Sequence, residues 1–438
     1  MTGRYLIRIL LFAAAVRLAL LAAAWNHPQR VLAPDSPGYV QLAESLATDN
    51  AFQLDGQPEI LRTPGYPLFL IPSFAFRASY SRVAIVVQIL LDVLLVYLTY
   101  LLASMLASRQ AALWAAAFQA ISAVAIVSSV QILSDGLYAL LLTLATCLMV
   151  VHLKAGKWWS LLSAAGVLAA ACYVRPAGVV MAAAFAAILL ARPKRFRFAG
   201  AFLGVVLAAI APWTVRNYVN ARYVGFSSFA GDAMYFFAVP ELRSRLEDAD
   251  PAAMRARLKA RASPVRDEKG AFPPPGPAAA ERHRKALEII AEHPLTYAGL
   301  HFKGCLGTYL PGEPAVLELT GLTAGQRGTS DVLRKEGPLA AARHYFGDNL
   351  PAIVLAIPMV LLLAAKYLTA SFCVIKKARL RMPAEAWLLL VIVIVSTLLP
   401  GPFGLPRYRT PFEPLLSVAA GAGVTAVINA VRRRRAVQ

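Results

Sequence analysis

The sequence predicts an all-α integral membrane protein with about ten transmembrane helices. Of its 438 residues, 58% are apolar and only 16% are charged, whereas an ordinary globular domain has about 45–50% and about 25%. The formal net charge is +20, and the basic residues lie between long apolar runs. This composition excludes a disordered chain. It also disfavours a nucleic-acid-binding protein, whose basic residues would share one polar surface.

Ten apolar runs have about the length of a transmembrane helix, which needs roughly 17–25 residues. The first run is either a signal peptide or a retained span, and Arg17 within its apolar stretch favours the retained span. The ten runs are 5–25, 83–106, 110–130, 133–153, 159–175, 177–191, 198–214, 349–372, 384–400 and 412–431.

Alternate connections between these runs are rich in Lys and Arg. Because basic connections stay in the cytoplasm, this side is predicted to be cytoplasmic, with both chain termini inside. We expect a multi-pass protein of a bacterial-type cytoplasmic (inner) membrane. The basic connections lie at residues 4–8, 109, 154–157, 192–197, 376–381 and 432–435.

The spans divide the chain into three predicted parts. Residues 1–214 form an N-terminal transmembrane module whose first outer loop, 26–82, carries juxtamembrane helices. Residues 215–348 form a long second outer loop with interfacial helices, expected to be flexible over 251–277 and helical over 281–310. Residues 349–438 contain the C-terminal spans and a basic cytoplasmic tail.

The ionisable residues nearest the membrane collect on the outer side. Such residues are costly at membrane depth, so each is a candidate for function or for a buried pair. Carboxylates together with several arginines suit an anionic lipid substrate, because the planar guanidinium can hold phosphate oxygens through two hydrogen bonds. The candidates are Asp35, Glu59 and Arg62 in the first loop, and Asp135, Arg175, Arg216, Arg407 and Arg409 near span ends.

The first outer loop has the most specific pattern. Asp35 is either a base that takes a proton from an acceptor hydroxyl or a helix N-cap before Ser36-Pro37. Glu59 is either a second site carboxylate or a solvated residue. Arg62 is either a phosphate ligand or an interfacial residue whose stem lies in the apolar layer.

Arginines close to the later spans have similar alternatives. Arg407 and Arg409 bracket a tyrosine and form either a phosphate clamp or an interfacial anchor, and Arg216 has the same two interpretations. Asp135 and Arg175 either pair across neighbouring spans or contact substrate. The histidines lack metal-ligand spacing, so no metal site is predicted. The absence of phosphate-binding glycine loops disfavours nucleotide-bound donors.

Five motifs carry a family resemblance. Taken in order, they resemble the integral membrane glycosyltransferases of the GT-C superfold, and within it the protein O-mannosyltransferase and lipid A aminoarabinose transferase type. The motifs are Asp35-Ser36-Pro37-Gly38-Tyr39, Arg62-Thr63-Pro64-Gly65-Tyr66-Pro67, Tyr173-Val174-Arg175-Pro176, Pro212-Trp213-Thr214-Val215-Arg216-Asn217-Tyr218 and Arg407-Tyr408-Arg409-Thr410-Pro411.

The resemblance implies an enzyme that moves a sugar, with inversion, from a polyprenyl phosphate carrier to a lipid, glycan or protein acceptor outside the cytoplasm. It implies Asp35 as the base and Arg62 and Arg407 as ligands of the lipid phosphate. Glu59 stays a second catalytic candidate on the loop residues alone, because the first loop lacks the Asp-Glu pair of the mannosyltransferases. No cofactor is required by this chemistry, although the family includes members that depend on a divalent cation. The remaining substrate-binding candidates are Tyr39, Tyr66, Asp135, Arg175, Arg216 and Arg409.

Two other functions fit parts of the pattern. A lipid-linked sugar translocase also needs a basic cavity, but it calls for polar residues through the membrane midplane and on both faces. An O-antigen ligase or polymerase would use a diphosphate-linked glycan and a larger arginine cluster, which keeps Arg216, Arg407 and Arg409 in consideration.

Overall fold

The structure, a computed structural model, is helical almost throughout. It describes residues 2–191, 195–247, 249–262, 272–322, 329, 332, 336–378 and 382–435. The helices, numbered in chain order, are α1 (Thr2–Ala24), α2 (Ser36–Asp49), α3 (Gly65–Leu70), α4 (Tyr80–Leu106), α5 (Arg109–Ala120), α6 (Ala123–Val130), α7 (Asp135–Ala155), α8 (Trp158–Val174), α9 (Ala177–Leu190), α10 (Arg195–Ala221), α11 (Phe229–Ala233), α12 (Val239–Glu247), α13 (Pro251–Ala262), α14 (Pro275–Glu292), α15 (Pro294–Thr308), α16 (Glu313–Thr320), α17 (Pro338–Phe346), α18 (Leu350–Ala378), α19 (Ala384–Leu398) and α20 (Glu413–Arg435). Short 3-10 segments cover Pro28–Val31, Ile71–Ser79, Gly401–Phe403 and Pro406–Phe412, and a π-helical turn covers Met234–Ala238.

Every predicted span contains helix, but not every helix has the length of a full span. Among the described residues, six helices are long and apolar enough to cross a membrane: α1, α4, α7, α10, α18, and α20 with the segment before it. The pair α5 and α6, bent by 53°, would make a seventh. The apolar helices α8, α9 and α19 are shorter, and α9, with 14 residues, reaches only about 21 Å. The chain is therefore a multi-pass membrane protein, and the predicted count of ten full spans is not confirmed.

Close helix contacts depend on small residues. A side chain at Gly421 of α20 would collide with the backbone of Ala111 and Ala115 in α5, and one at Gly423 would collide with the carbonyl of Thr369 in α18. Small residues allow such approach in membranes, where association relies on van der Waals packing rather than on the hydrophobic effect. These contacts hold α20 against both neighbours.

A buried arginine joins the first helix to the bundle. Arg17 forms an ion pair with Asp92 of α4 and donates to the carbonyls of Ala13 and Ala120. Ala120 is the last residue of α5, where carbonyls have no partner within the helix. Arg17 therefore satisfies a helix end created by the bend between α5 and α6.

The basic connections meet at one end of the bundle. Lys154, in the last turn of α7, donates to the carbonyl of Met105 at the end of α4, and the Arg197 guanidinium lies 4.8 Å from the centre of the Trp158 ring. Lys376 and Arg433 line a cavity that Ala107, just beyond α4, also lines. This clustering agrees with the predicted separation of two sides, while the identity of the cytoplasmic side stays a prediction. Arg192, Lys194, Arg379 and Arg381 lie outside the described residues.

The outer loops contain elements that the sequence did not predict. In the first loop, strands β1 (Gln53–Leu54) and β2 (Gln57–Pro58) form an antiparallel hairpin. In the second loop, the expectation of a flexible stretch over 251–277 is wrong for 251–262, which forms α13, while 263–271 lie outside the described residues. The predicted helical stretch 281–310 is confirmed as α14 and α15, which meet at Pro294.

Candidate active site

The start of α2 brings Asp35 to an arginine from the far end of the chain. Asp35 occupies the N-cap position, but its side chain forms no capping hydrogen bond. Its Oδ2 instead accepts a hydrogen bond of 2.8 Å from Nη2 of Arg407. Ser36 anchors this turn, since its hydroxyl donates to the carbonyl of Ile132 and accepts from the amide of Ala33. The carboxylate therefore faces the site rather than its own helix.

A second ion pair lies beside the first. Asp135, the first residue of α7, is 2.5 Å through Oδ1 from Nη1 of Arg175, which follows α8. The pairing across neighbouring helices is the structural alternative that the sequence left open. Arg175 also interacts electrostatically with Arg407 and Tyr39. Two carboxylates and two arginines from four distant parts of the chain thus share one site.

Tyr39 connects this cluster to the rest of the first loop. Its hydroxyl lies 3.0 Å from the hydroxyl of Ser134, the residue before Asp135. Burial raises the pKa of Tyr39, so the phenol stays protonated. Tyr66 packs edge-on behind it at 4.8 Å between ring centres and donates a 2.5 Å hydrogen bond to Oε1 of Gln88. Tyr39 therefore lines the site, whereas the fully buried Tyr66 supports it from behind.

Arg62 lies across the opposite face of the Tyr39 ring. Its guanidinium carbon is 5.5 Å from the ring centre, and its Nη1 is 4.0 Å from Oε2 of Glu59. Gly38 leaves the space, because a Cβ there would approach the guanidinium to 2.7 Å. No hydrogen bond from this guanidinium to another described residue is formed, so its donors are available for a ligand.

The loop carrying Arg62 is held against the end of α8. A Cβ on Gly65 would come within 2.6 Å of the backbone of Tyr173, so only glycine allows this approach. Arg175 lies two residues after Tyr173, just beyond the end of α8. The two motifs around Gly65 and Arg175, far apart in sequence, are therefore packed directly on each other.

Arg409 points away from this group, although it is only two residues from Arg407. It is buried, and it donates to Glu413 and to the carbonyls of Thr308 and Leu310. Glu413 also accepts from Lys366 at 2.6 Å and from Ser122 at 2.6 Å. This network joins α15, α18 and α20, and we leave Arg409 out of the proposed phosphate site.

Glu59 and Arg216 shape the first loop. Oε1 of Glu59 accepts from the backbone amides of Leu61 and Arg62. Arg216 donates to the backbone carbonyls of Glu59, at 2.6 Å, and Phe52, at 2.5 Å. Its guanidinium stacks over Trp213 at 4.8 Å. These contacts tie the hairpin to α10, so both residues order the loop behind Arg62.

Several contributing residues escaped the sequence interpretation. Ser134, Gln88 and Glu413 are neutral or isolated residues inside the apolar runs 133–153, 83–106 and 412–431, and no motif around them indicates a site. Glu413 alone carries a usable signal, because it follows Arg409 by four residues at a helix start, a spacing that favours an ion pair. Within the described parts of the chain, no three His, Cys, Asp or Glu side chains gather to hold a metal.

Comparison with known proteins addresses the fold. Residues 62–215 match the family model described as dolichyl-phosphate-mannose-protein mannosyltransferase. An archaeal oligosaccharyltransferase, AglB from Archaeoglobus fulgidus, in complex with an inhibitory peptide and a dolichol-phosphate, superposes with a TM-score of 0.56 at 16% identity, covering 99% of this chain and 51% of that one. The oligosaccharyltransferase of the same organism in the apo form gives 0.54 at 14% identity, with coverage of 99% and 51%.

The chain has a GT-C fold. The superposition covers 99% of this chain, so the predicted membrane architecture of this superfold is confirmed. The chain spans about half the length of the oligosaccharyltransferases that it matches. ArnT from Cupriavidus metallidurans bound to undecaprenyl phosphate also matches, with a TM-score of 0.40 at 13% identity over 94% of this chain and 77% of that one. No curated protein sequence matches the chain.

Proposed function

We propose that this GT-C protein is an inverting glycosyltransferase that takes its sugar from a polyprenyl phosphate carrier. The observation that carries the proposal is the contact between Asp35 and Arg407. A carboxylate and an arginine, a side chain type that can bind phosphate, are the minimum that this chemistry needs at one end of a membrane bundle, and their contact supports the proposal. The mannosyltransferase match over 62–215 covers Arg62, Asp135 and Arg175 of the same site.

Asp35 acts as the general base in the proposed reaction. The acceptor hydroxyl attacks the anomeric carbon of the sugar, and its proton moves to the Asp35 carboxylate. The bond between the anomeric carbon and the phosphate oxygen breaks, and polyprenyl phosphate leaves with the electron pair. Because a phosphate is a good leaving group, binding, orientation and removal of one proton suffice.

The arginines stabilise the leaving phosphate. The side chain of Arg407 is 31% exposed, and its buried Nε has no hydrogen-bond partner among the described residues, so the guanidinium can bind phosphate while releasing Asp35 to the acceptor. Arg62 contributes a second planar donor, because its only carboxylate contact is long, at 4.0 Å. Preorganised donors of this kind stabilise charge that develops in the transition state. Asp135 keeps Arg175 charged and oriented beside them.

We place the reaction on the periplasmic or exterior side of the cytoplasmic membrane. The site lies at the end of the bundle opposite the basic connections, and basic connections stay cytoplasmic. A carrier lipid would then present its phosphate at the membrane surface, with its chain in the bilayer. The acceptor is a lipid, glycan or protein hydroxyl or amine that reaches the site from the outer aqueous phase.

Asp35→Asn tests the proposal. It keeps the size of the side chain and its contact with Arg407 but removes the base, so transfer should fall by about 10²- to 10⁴-fold. The first measurement is the release of polyprenyl phosphate in membranes supplied with polyprenyl-phosphate-linked sugars. The second is mass spectrometry of the lipid that copurifies with the protein. Asp55→Asn is the matched control, since Asp55 is an exposed carboxylate of the same loop.

The two measurements separate two kinds of failure. Normal transfer by Asp35→Asn would reject Asp35 as the base while keeping the enzyme class. A purified protein that carries no polyprenyl phosphate and releases none from any donor would reject the enzyme class itself. Loss of activity in the Asp55→Asn control would mean that the loop as a whole, rather than Asp35, is sensitive to charge.

A further inference from the structure

A cavity of about 380 Å³ lies at the basic end of the bundle, far from the ion pairs around Asp35. It opens where the ends of α4, α5, α18 and α20 come together. Half of its lining residues are alanines, and the other half are polar or charged. The lining residues are Ala107, Ser108, Ala111, Lys376, Ala422, Thr425, Ala426, Asn429, Ala430 and Arg433.

The cavity follows from the packing of α20. Its lining positions from Ala422 to Arg433 recur every three or four residues and form one face of the helix. At the start of this face, Gly421 and Gly423, on either side of Ala422, allow α20 to approach α5 and α18 closely. Further along α20, the short side chains of Ala426 and Ala430 line the space that stays open between the helices.

Two cations, Lys376 and Arg433, line this cavity. Lys376 and Arg433 are both exposed, and in the part of the chain that the structure describes neither forms an ion pair. The hydroxyl of Ser108 and the amide of Asn429 add hydrogen-bonding groups to the same wall. Lys376 lies in the last turn of α18, and Arg433 lies in the last turn of α20. The partial negative charge at the C-terminal end of a helix favours a cation there. The site therefore offers positive charge above an apolar surface.

We infer that this cavity binds an anionic phospholipid. The two cations and the polar side chains contact the headgroup phosphate, and the first part of an acyl chain lies against the alanine wall. Basic pockets between transmembrane helices recognise anionic headgroups in this way. The inference is independent of the proposed sugar transfer, because the cavity lies at the opposite end of the bundle from Asp35.

A charge-matched pair of double variants tests the site. Lys376→Ala/Arg433→Ala removes the two lining cations, and Arg432→Ala/Arg434→Ala removes two cations from the same helix end that do not line the cavity. Native mass spectrometry then counts phosphatidylglycerol retained by protein transferred from mixed vesicles of phosphatidylglycerol and phosphatidylcholine. We expect the lining variant to retain about 10-fold less phosphatidylglycerol than the control, as two charge-assisted contacts are lost.

Filling the cavity separates a lipid site from a general attraction to charge. Ala426→Leu keeps both cations but occupies the space of the acyl chain, so it should also lose phosphatidylglycerol, with an unchanged melting temperature in detergent as the check on folding. Equal retention by the two double variants, or full retention by Ala426→Leu, would overturn the site. Displacement of the lipid by millimolar inorganic phosphate alone would also overturn it, since the cavity would then bind only the anion.

Discussion

The ion pairs around Asp35 and those inside the bundle differ in access. The side chains of Arg17 and Asp92 are 0% and 1% exposed, whereas those of Arg407 and Asp35 are 31% and 39% exposed. Arg17 donates to the backbone carbonyls of Ala13, within α1, and of Ala120, the last residue of α5. Arg407 donates to the Asp35 carboxylate, and its guanidinium lies 5.2 Å from the centre of the Tyr408 ring. A pair of the first kind joins helices, whereas a pair of the second kind can exchange its partner for a ligand.

This difference explains why charge alone does not identify a site in a membrane protein. Both kinds of pair consist of ionisable residues that are costly in the apolar layer. Loss of an enclosed pair should reduce the stability of the fold, while loss of an accessible pair should reduce binding or catalysis. Substitutions in the two groups should therefore give opposite patterns of stability and activity.

The largest stability effect is expected for Asp92→Leu. The substitution leaves Arg17 as a buried charge without its carboxylate, which should reduce the free energy of unfolding by about 3–5 kcal/mol. Thermal unfolding in detergent measures the change. Protein that remains folded should keep its affinity for the donor, because Arg17 lies away from the site.

The double variant Arg17→Met/Asp92→Leu is the control. Replacing both charges by apolar side chains of similar volume is often neutral or stabilising, so the melting temperature should return close to that of the parent. If Asp92→Leu alone leaves the melting temperature unchanged, the enclosed pair does not stabilise the bundle and the contrast between the two groups is lost.

Arg407→Ala should show the opposite pattern. Loss of a charged hydrogen bond to the donor phosphate, worth about 1.5–3 kcal/mol, should weaken apparent donor affinity by roughly 10- to 100-fold. Stability should change little, because the side chain is partly exposed. The measurement is the dependence of the transfer rate on donor concentration, together with the melting temperature.

Arg409→Ala is the matched comparison, since it lies in the same segment. It would leave Glu413 with Lys366 and Ser122 and would remove the hydrogen-bond donor to the carbonyls of Thr308 and Leu310. We expect a large loss of stability and donor affinity near that of the parent in the folded fraction. A weakened donor affinity for Arg409→Ala with no change in stability would return this residue to the phosphate site.

The sequence predicts the membrane fold because span length and basic connections depend only on local composition. It could not separate Arg407 from Arg409. The segment Pro406–Phe412 is a 3-10 helix, in which residues two apart point about 120° away from each other around the helix axis. From the sequence the same segment is only a proline-bounded loop, so the direction of each side chain was unknown.

Short or composite elements were missed for similar reasons. Each strand of the hairpin has two residues, too few to show alternation, although Asp55-Gly56 is a typical hairpin turn. Residues 251–262 were interpreted from the prolines that follow them. Their own composition, rich in Ala, Arg, Leu and Met, favours a helix. The predicted number of full spans is affected in the same way. The helices α8, α9 and α19 are shorter than a full span, and their packing against neighbouring helices cannot be seen in the sequence.

Gly38→Ala gives the smallest and most selective expected effect. The new methyl group would meet the end of the flexible Arg62 side chain, at 2.7 Å from its guanidinium carbon, so the arginine should move and the fold should persist. We expect apparent donor affinity to fall about 3- to 10-fold, as part of one charged contact is lost, with an unchanged melting temperature. Titration of the donor against the transfer rate measures the change.

A double-mutant cycle shows whether Arg62 carries this effect. If Gly38 acts only by leaving space for the guanidinium, Gly38→Ala should change nothing in a protein that already has Arg62→Ala, since contacting residues couple and independent ones add. Gly166→Ala is the control, because a methyl group there meets open space within α8. A further loss of donor affinity in the Arg62→Ala background would place the effect of Gly38 on α2 itself, and Arg62 would lose its place among the phosphate ligands.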